Sequence, residues 1–186
     1  MIRDELEFEK IYETFRPRIH RYLTRMVGEQ EAEDLTQEVF VKISRAIETF
    51  RGESQLATWI YRIATNAALD RIDSPSFQRT IQDSRGWGEM ELEDQDVWTG
   101  EKAPSLETSL VRKEMSECIR DFVGGLPANY RAVLVLSDME ELPNNEIAEI
   151  LGLSVNVVKI RLHRSRTRLR KEIELHCKPE EWLPEE

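Results

Sequence analysis

The feature that most constrains what this chain can fold into is a pair of helix-period apolar patterns with one stop and one start between them, running from Leu142 to Ile173. In the first pattern Ile147, Ile150 and Leu151 fall at i, i+3 and i+4 and make one apolar stripe, preceded by the start signals Pro143 and Asn144. Gly152 ends that helix, and Ser154 is a good N-cap for the next. There Val155, Val158, Leu162, Ser165, Leu169 and Ile173 gather on one side at about 3.6 residues per turn, the side expected to pack inward. The opposite side collects Asn156, Ile160, His163, Arg164, Thr167 and Lys171, edged by Lys159 and Arg170 on one flank and Arg161 and Arg168 on the other. This is the pattern of a helix-turn-helix whose second helix presents a polar, cationic face suited to a major groove.

A run of charges is most often a solvated helix face, so the local charge has to decide. Between Ser154 and Leu175 there are seven Lys or Arg and two Asp or Glu, a balance of +5 inside a chain whose formal net charge is -10. A segment held so far in charge from its surroundings points to a phosphate partner, because cations that neutralise phosphates release condensed counterions. With positive charge confined to one helix, general attraction to DNA is weak, and a larger partner is expected to supply affinity.

Other classes are poorly matched. At 186 residues and 40% hydrophobic composition the chain has room for one domain or two small ones with modest cores. No apolar run approaches the roughly 20 residues that span a bilayer, and MIRDELEFEK lacks a signal peptide's apolar centre, so a cytoplasmic protein with no membrane contact of its own is expected. Cys118 and Cys177 are far apart and form no CxxC, which gives no indication of a zinc site or disulfide framework. There is no Gly-rich phosphate loop, ligand cluster or nucleophile–base set, so neither an enzyme nor a metal or cofactor is expected. Glu33, Asp34 and Glu38 could be imagined around a metal, but Asp34 and Glu38 are simply i, i+4 neighbours on a polar face.

Taken in order, residues 1–73 read as a first helical domain. Phe8, Ile11, Tyr12, Phe15, Ile19, Tyr22, Leu23 and Met26 trace one long helix, with a kink or break expected near Pro17. After a turn at Gly28, Leu35, Val39, Ile43, Ala46 and Ile47 line the inner side of a second helix. Its outer side shows Asp34, Gln37, Glu38, Val41 and Arg45, and a valine among those charges suggests a docking surface. Phe50 to Gln55 has loop chemistry, and Thr58 to Ile72 returns to helix with Ile60, Ile63, Ala64 and Ala67 inward. Phe50, Trp59 and Tyr61 stand near Arg51, Arg62, Asn66 and Arg71, the mixture of aromatics and cations found where single-stranded bases stack and their backbone is held; the competing reading is that the aromatics are core.

Residues 74–107 lose periodicity and carry an acidic run, WGEMELEDQDVWTGE, which reads as a flexible linker. A second domain follows over 108–175. Helix is expected from Leu106 to Phe122, GGLP stops it, and a short amphipathic helix with Tyr130, Val133, Leu134 and Ser137 leads into the helix-turn-helix. Residues 176–186 read as a frayed tail. The fold class is therefore all-α: two small helical domains joined by a flexible acidic linker.

This arrangement resembles the extracytoplasmic-function (ECF) group of sigma-70-type transcription initiation factors. EAEDLTQEVFVKI resembles the family's core-polymerase-binding helix, FRGESQLATWIYRIATNAALD its promoter-melting and −10 recognition segment, and LPANYRAVLVLSDMEELPNNEIAEILGLSVNVVKIRLHRSRTRLR its −35-binding region. The resemblance implies that Asp34, Leu35, Gln37, Glu38 and Phe40 lie at or near the surface gripping RNA polymerase core. It implies that Phe50, Arg51, Gly52, Glu53, Ser54, Gln55 and Leu56 form a loop accepting a flipped base of the −10 strand, with Trp59, Ile63 and Asn66 on the adjoining helix. In the second domain Asn156, Lys159, Ile160, His163 and Arg164 would face −35 bases, and Arg161, Arg166 and Arg168 would hold phosphate. It also implies promoter DNA and an anti-sigma factor as partners, and a linker that imitates nucleic acid inside the polymerase. Ile160 departs from the small polar residue common at its position, which touches the choice of −35 sequence. The alternative is a stand-alone helix-turn-helix regulator, which has no need of the FRGESQ loop beside Trp59 and Asn66.

Overall fold

The computed structural model describes residues 2–52, 54–82 and 119–176, and among these the chain is helices and short connections with no strand. Helix α1 spans Ile2–Val27, α2 Glu29–Ala46 and α3 Leu56–Asp73; a 3₁₀ turn, Ile47–Thr49, follows α2. The three pack mutually as a bundle. Ile19, Tyr22, Leu23 and Met26 of α1, Leu35, Val39 and Ile43 of α2, and Ile60, Tyr61, Ala64 and Ala68 of α3 are all buried, the inward sides that helical periodicity defines. Pro17 lies inside α1, which runs on as one helix with no break there.

Two tyrosines sit at the centre of this bundle with no exposure. Their rings meet edge to face, centroids 5.4 Å apart at 84°. The Thr65 hydroxyl donates its single proton to the Tyr61 carbonyl at 2.7 Å, so at 2.8 Å it accepts from the Tyr22 hydroxyl, and Tyr22 is the donor.

Residues 119–125 form the helical segment α5, followed by α6 (Ala128–Leu134), a π-helical turn (Val135–Met139), α7 (Asn144–Leu151) and α8 (Val155–His176). Ala132 to Leu136, Ile147, Ile150, Val158 and Leu162 are buried between them. Gly152 stops α7 in the left-handed region at φ 63°, where its N–H bonds the Ala148 carbonyl, and any side chain there would be strained. The Ser154 hydroxyl accepts the Val157 N–H at 3.3 Å, capping α8 as its position requires. Val155, expected inward, is exposed instead, and the buried stripe of α8 begins one turn later at Val158.

A further helix, α4 (Pro75–Gln82), stands where the linker was expected to begin. Its start signal was present: the Ser74 hydroxyl accepts the Phe77 N–H at 3.4 Å, and Pro75 fills the first helical position, where a missing N–H costs nothing. The remainder of the expected linker, the first part of the helix expected over Leu106 to Phe122, and the tail from 177 onward lie outside the described residues.

The two helical units pack directly on one another, α3 against α7 and α1 against α6 and the π turn. The second unit contributes two buried charges to the seam, and the first unit supplies their partners. Glu140, its side chain almost wholly enclosed, accepts from Arg25 of α1 at 2.8 Å and from the Tyr61 hydroxyl of α3 at 2.5 Å. Arg131 of α6, also buried, donates to the carbonyl of Met26 at the end of α1 and to those of Gly124 and Leu126 in its own unit. The π turn aims the carboxylate: the Glu140 and Leu142 amides reach back to the Val135 and Leu136 carbonyls, and this widened winding turns residue 140 toward the first unit.

Burial pushes the Tyr22 and Tyr61 phenols above the ordinary value near 10, and at Tyr61 the Glu140 carboxylate adds to the shift. Because the folded value is raised, stability from this source is intact below about pH 10 and is lost as pH rises beyond it. A near-ultraviolet titration should therefore show a late ionisation phase coinciding with loss of helical circular dichroism, smaller in Tyr22→Phe; ionisation of these phenols with the helices intact would contradict their placement.

Candidate nucleic-acid and polymerase interfaces

On α8 the residues expected to meet bases share one exposed patch. Asn156, Lys159, Ile160, His163 and Arg164 are all exposed on its first half, and Ile160 is 52% accessible despite being apolar. The second half is engaged elsewhere. Arg166 grips Asp138 of the π turn with two hydrogen bonds, at 2.6 and 3.0 Å, and those bonds raise its pKa further. Arg168 lies over the Tyr130 ring of α6 at 5.1 Å. The Ser165 hydroxyl, buried between α8 and α6, lies within hydrogen-bond reach of the Arg161 carbonyl (2.7 Å) and the Tyr130 carbonyl (3.0 Å). Arg166 and Arg168, expected to hold phosphate, help fasten α8 to its own domain in the free chain, and Arg161 is half-buried at the margin of the patch.

In the first unit the 3₁₀ turn, the loop after it and the start of α3 enclose an open cleft of about 490 Å³, lined by Thr49, Phe50, Arg51, Ser54, Trp59 and Arg62, with Glu149 of α7 as its far wall. Phe50 and Trp59 meet at 5.2 Å and 45°, leaving an aromatic edge beside two guanidinium groups. Gly52 turns the loop at φ 70°, a conformation that favours glycine. Gly52 and Gln55 are exposed alongside, Leu56 and Ile63 are half-buried and packed on the core, and Asn66 is exposed two turns beyond Trp59 on α3. Glu53 lies outside the described residues. Tyr61 belongs to the core and not to this face, so for that aromatic the core reading was correct.

On α2, Asp34, Gln37 and Glu38 are exposed with Val41, which is 47% accessible. Leu35 and Phe40 are not surface residues: both are buried, since they fall on the stripe that packs into the bundle, and Phe40 meets Tyr12 edge-on at 4.9 Å. They can shape the exposed face only from beneath. Glu38 is held by Arg71 of α3 at 2.7 Å, and Arg71 also holds Glu31 at 2.6 Å.

Arg62 belongs to the aromatic and cationic mixture that the sequence shows, whereas Glu149 is new to the cleft. Arg62 had a signal, since it stands one turn after Trp59 on the same helix face. Glu149 had none, because only tertiary packing brings α7 to α3.

A helical bundle carrying an aromatic, cationic cleft, packed on a helix-turn-helix with one basic face, defines a two-domain promoter-recognition factor of the sigma-70 type. Comparison with known families agrees: residues 11–76 match Sigma-70 region 2 and residues 116–169 match Sigma-70, region 4. The chain is 35% identical over 173 residues to the ECF RNA polymerase sigma factor SigW of Bacillus subtilis, covering 91% of this chain and 90% of that one. It is 29% identical over 172 residues to the ECF RNA polymerase sigma-E factor of Haemophilus influenzae, covering 92% and 89%. The chain belongs to the ECF RNA polymerase sigma factors, which are transcription initiation factors. Its fold is similar to that of the sigma factor RpoE in complex with the anti-sigma factor NepR from Bartonella quintana, with a TM-score of 0.64 at 20% identity, covering 91% of this chain and 98% of that one. It is equally similar to CnrH in complex with the cytosolic domain of CnrY, with a TM-score of 0.63 at 20% identity, covering 92% and 90%.

The division of α8 gives a measurable expectation. Arg166→Ala should cost about 1 kcal/mol of stability or less and leave −35 sequence preference unchanged, because its partner is a partly exposed carboxylate of its own domain. Urea denaturation and a randomised −35 duplex library would check both; a changed base preference would place Arg166 in the groove.

Proposed function

We propose that this chain recruits RNA polymerase core through the exposed face of α2, reads −35 duplex through the first half of α8, and captures an unstacked base of the melted −10 strand in the cleft between Phe50 and Trp59. The observation that carries the reading is the pairing, on one chain, of a solvent-open aromatic and cationic cleft with a separate helix whose exposed face is the chain's main concentration of positive charge. Asp34, Gln37, Glu38 and Val41 form the docking face for core. Ile160 meets a thymine methyl, and Arg164 donates two hydrogen bonds to guanine, a contact worth about 1–3 kcal/mol of discrimination. Asn66 contacts the −10 strand beyond the cleft. The chain performs no catalysis of its own; it acts in the cytoplasm, where polymerase and promoter are. Among the described residues no helix is long and apolar enough to cross a membrane. A protein of similar fold, RpoE, is solved in complex with the anti-sigma factor NepR, which supports an anti-sigma factor as this chain's inhibitor.

The test is transcription from a genomic library with purified core polymerase, with start sites mapped. Asn66→Ala and Trp59→Ala should retain helicity and lose open-complex formation, and Arg164→Ala should relax one −35 position. Tight, sequence-specific binding of the chain alone to duplex promoter at physiological salt, with no dependence on core, would overturn this reading in favour of a stand-alone regulator.

A further inference from the structure

Large apolar side chains left in water are few, and they are not evenly spread. Among the described residues six are exposed, and three of them, Val155, Val157 and Ile160, fall at the start of α8. A single exposed apolar residue is ordinary on a protein surface, but a pair inside a charged patch is not. Val157 and Ile160 are such a pair. Three residues apart on a helix, they stand side by side on one face, whereas Val155, two residues before Val157, falls on the other flank. Around the pair are Asn156, Arg164 and the half-buried Arg161. Neither valine nor isoleucine belongs to the core there, since the buried stripe of α8 is Val158, Leu162 and Ser165. Both are branched at Cβ and hold nearly one rotamer in a helix, and the backbone beneath Val157 is fixed by its N–H donating to the Ser154 hydroxyl at 3.3 Å. The result is a stiff apolar step, about 4.5 Å along the helix axis, in the middle of the cationic patch.

We infer that Val157 and Ile160 together read thymine methyl groups on two neighbouring base pairs, so that methyl contact, beside the hydrogen bonds of Arg164, sets the −35 preference of this chain. The pair can do so only if α8 is the −35 helix proposed above, and Val157 then joins Ile160 as a specificity-determining residue. The major groove offers few apolar targets. Of the four bases only thymine presents a methyl group there, and base pairs stack about 3.4 Å apart, so a step of about 4.5 Å addresses two of them. Charge favours duplex DNA as the occupant of this face: Ser154 to Leu175 carries +5 in a chain of -10, which draws in the phosphates on either side of the groove and holds the apolar pair against the bases between them. A polar side chain at either place would find a donor or acceptor on every base pair. A branched apolar one gains only where a methyl stands, and elsewhere it takes water from a polar base edge and gives no hydrogen bond in return. The preferred site therefore has T·A pairs at two adjacent positions.

The probe is duplex promoter DNA in which each thymidine of the preferred −35 element is replaced singly by deoxyuridine, which removes the methyl and leaves every hydrogen-bonding group in place. Affinity is measured for the full-length chain assembled with purified core polymerase. Two adjacent positions should each lose about three- to fivefold, the scale of one buried methyl-sized group, and the other thymidines should lose little. Val157→Ser should abolish the loss at one of these positions and Ile160→Ser at the other, whereas Val155→Ser, on the opposite flank, should keep both; all three are exposed changes that leave the fold intact. At the same two positions a C·G pair methylated at C5 of the cytosine should bind about three- to fivefold more tightly than the unmethylated pair, because it restores the methyl alone. Deoxyuridine tolerated throughout the element would overturn the inference. So would losses that persist unchanged in both Val157→Ser and Ile160→Ser, since the methyls would then act through DNA shape or another residue. Absence of any −35 sequence preference would remove the reading of α8 itself, whereas a −35 element that is read without sensitivity to deoxyuridine leaves that reading standing and removes only the methyl step.

Discussion

The arrangement of this molecule depends on one buried carboxylate. Glu140 is enclosed at the junction of two helical units, and an isolated charge in such a place would cost several kcal/mol. It persists there because Arg25 from α1 and Tyr61 from α3 converge on it, which requires both helices and the π turn to be in register at once. Arg131, of the same unit, makes a second demand, since its guanidinium reaches the Met26 carbonyl near the end of α1 only when α6 lies across that helix end. Apolar contact alone tolerates sliding; two buried charges with directional partners do not. The seam is therefore a specified interface, and its geometry determines what else the second domain covers.

What it covers follows from the distribution of charge. The chain is acidic as a whole, and its positive charge is concentrated on α8. Within the second domain the acidic α7 faces α3 while the basic half of α8 faces solvent, so one small unit presents opposite signs in opposite directions. Arg166 and Arg168 contribute to this division. By binding Asp138 and the Tyr130 ring they hold the C-terminal half of α8 to its domain, while Val158 and Leu162 pack the N-terminal half inward and leave its opposite face exposed for a groove.

How much of this was legible in the sequence depended on whether a property was local. Helix periodicity, the Gly152 stop and the Ser154 cap are written in neighbouring residues, and each is where it was expected. The π turn was not foreseen, because a register shift of one residue leaves no compositional mark. Leu35 and Phe40 illustrate a subtler limit: the resemblance implies a place at or near the polymerase-binding surface, and the wheel of α2 adds that both lie on the buried stripe beneath it. Tyr61 went the same way. An aromatic beside cations on a melting helix can be either a stacking platform or core, and only the position of Tyr22 and Glu140 decides between them. α4 was missed although Ser74 and Pro75 announce it, since the acidic run beyond it dominated the reading of that segment.

A solvent-open cleft lined by aromatics and guanidinium groups carries a hazard, because its chemistry suits any single strand. Closing the cleft with the protein's own carboxylates answers that hazard with weak parts: a partly exposed pair such as Arg62 with Glu149 is worth about 0–1 kcal/mol, whereas the enclosed Glu140 site resists loss of a partner by about 3–5 kcal/mol. The strong element sits away from the cleft and the weak element within it, so the pair at the cleft adds little to the alignment that the buried site holds. A partner shifts such an equilibrium only by the difference in its affinity for the open and closed forms. A strand touching the cleft alone gains that difference from a few exposed contacts, too little to displace the buried charges. A partner that engages both units along an extended surface can supply several kcal/mol at once, the scale on which a seam held by buried charges can be rearranged.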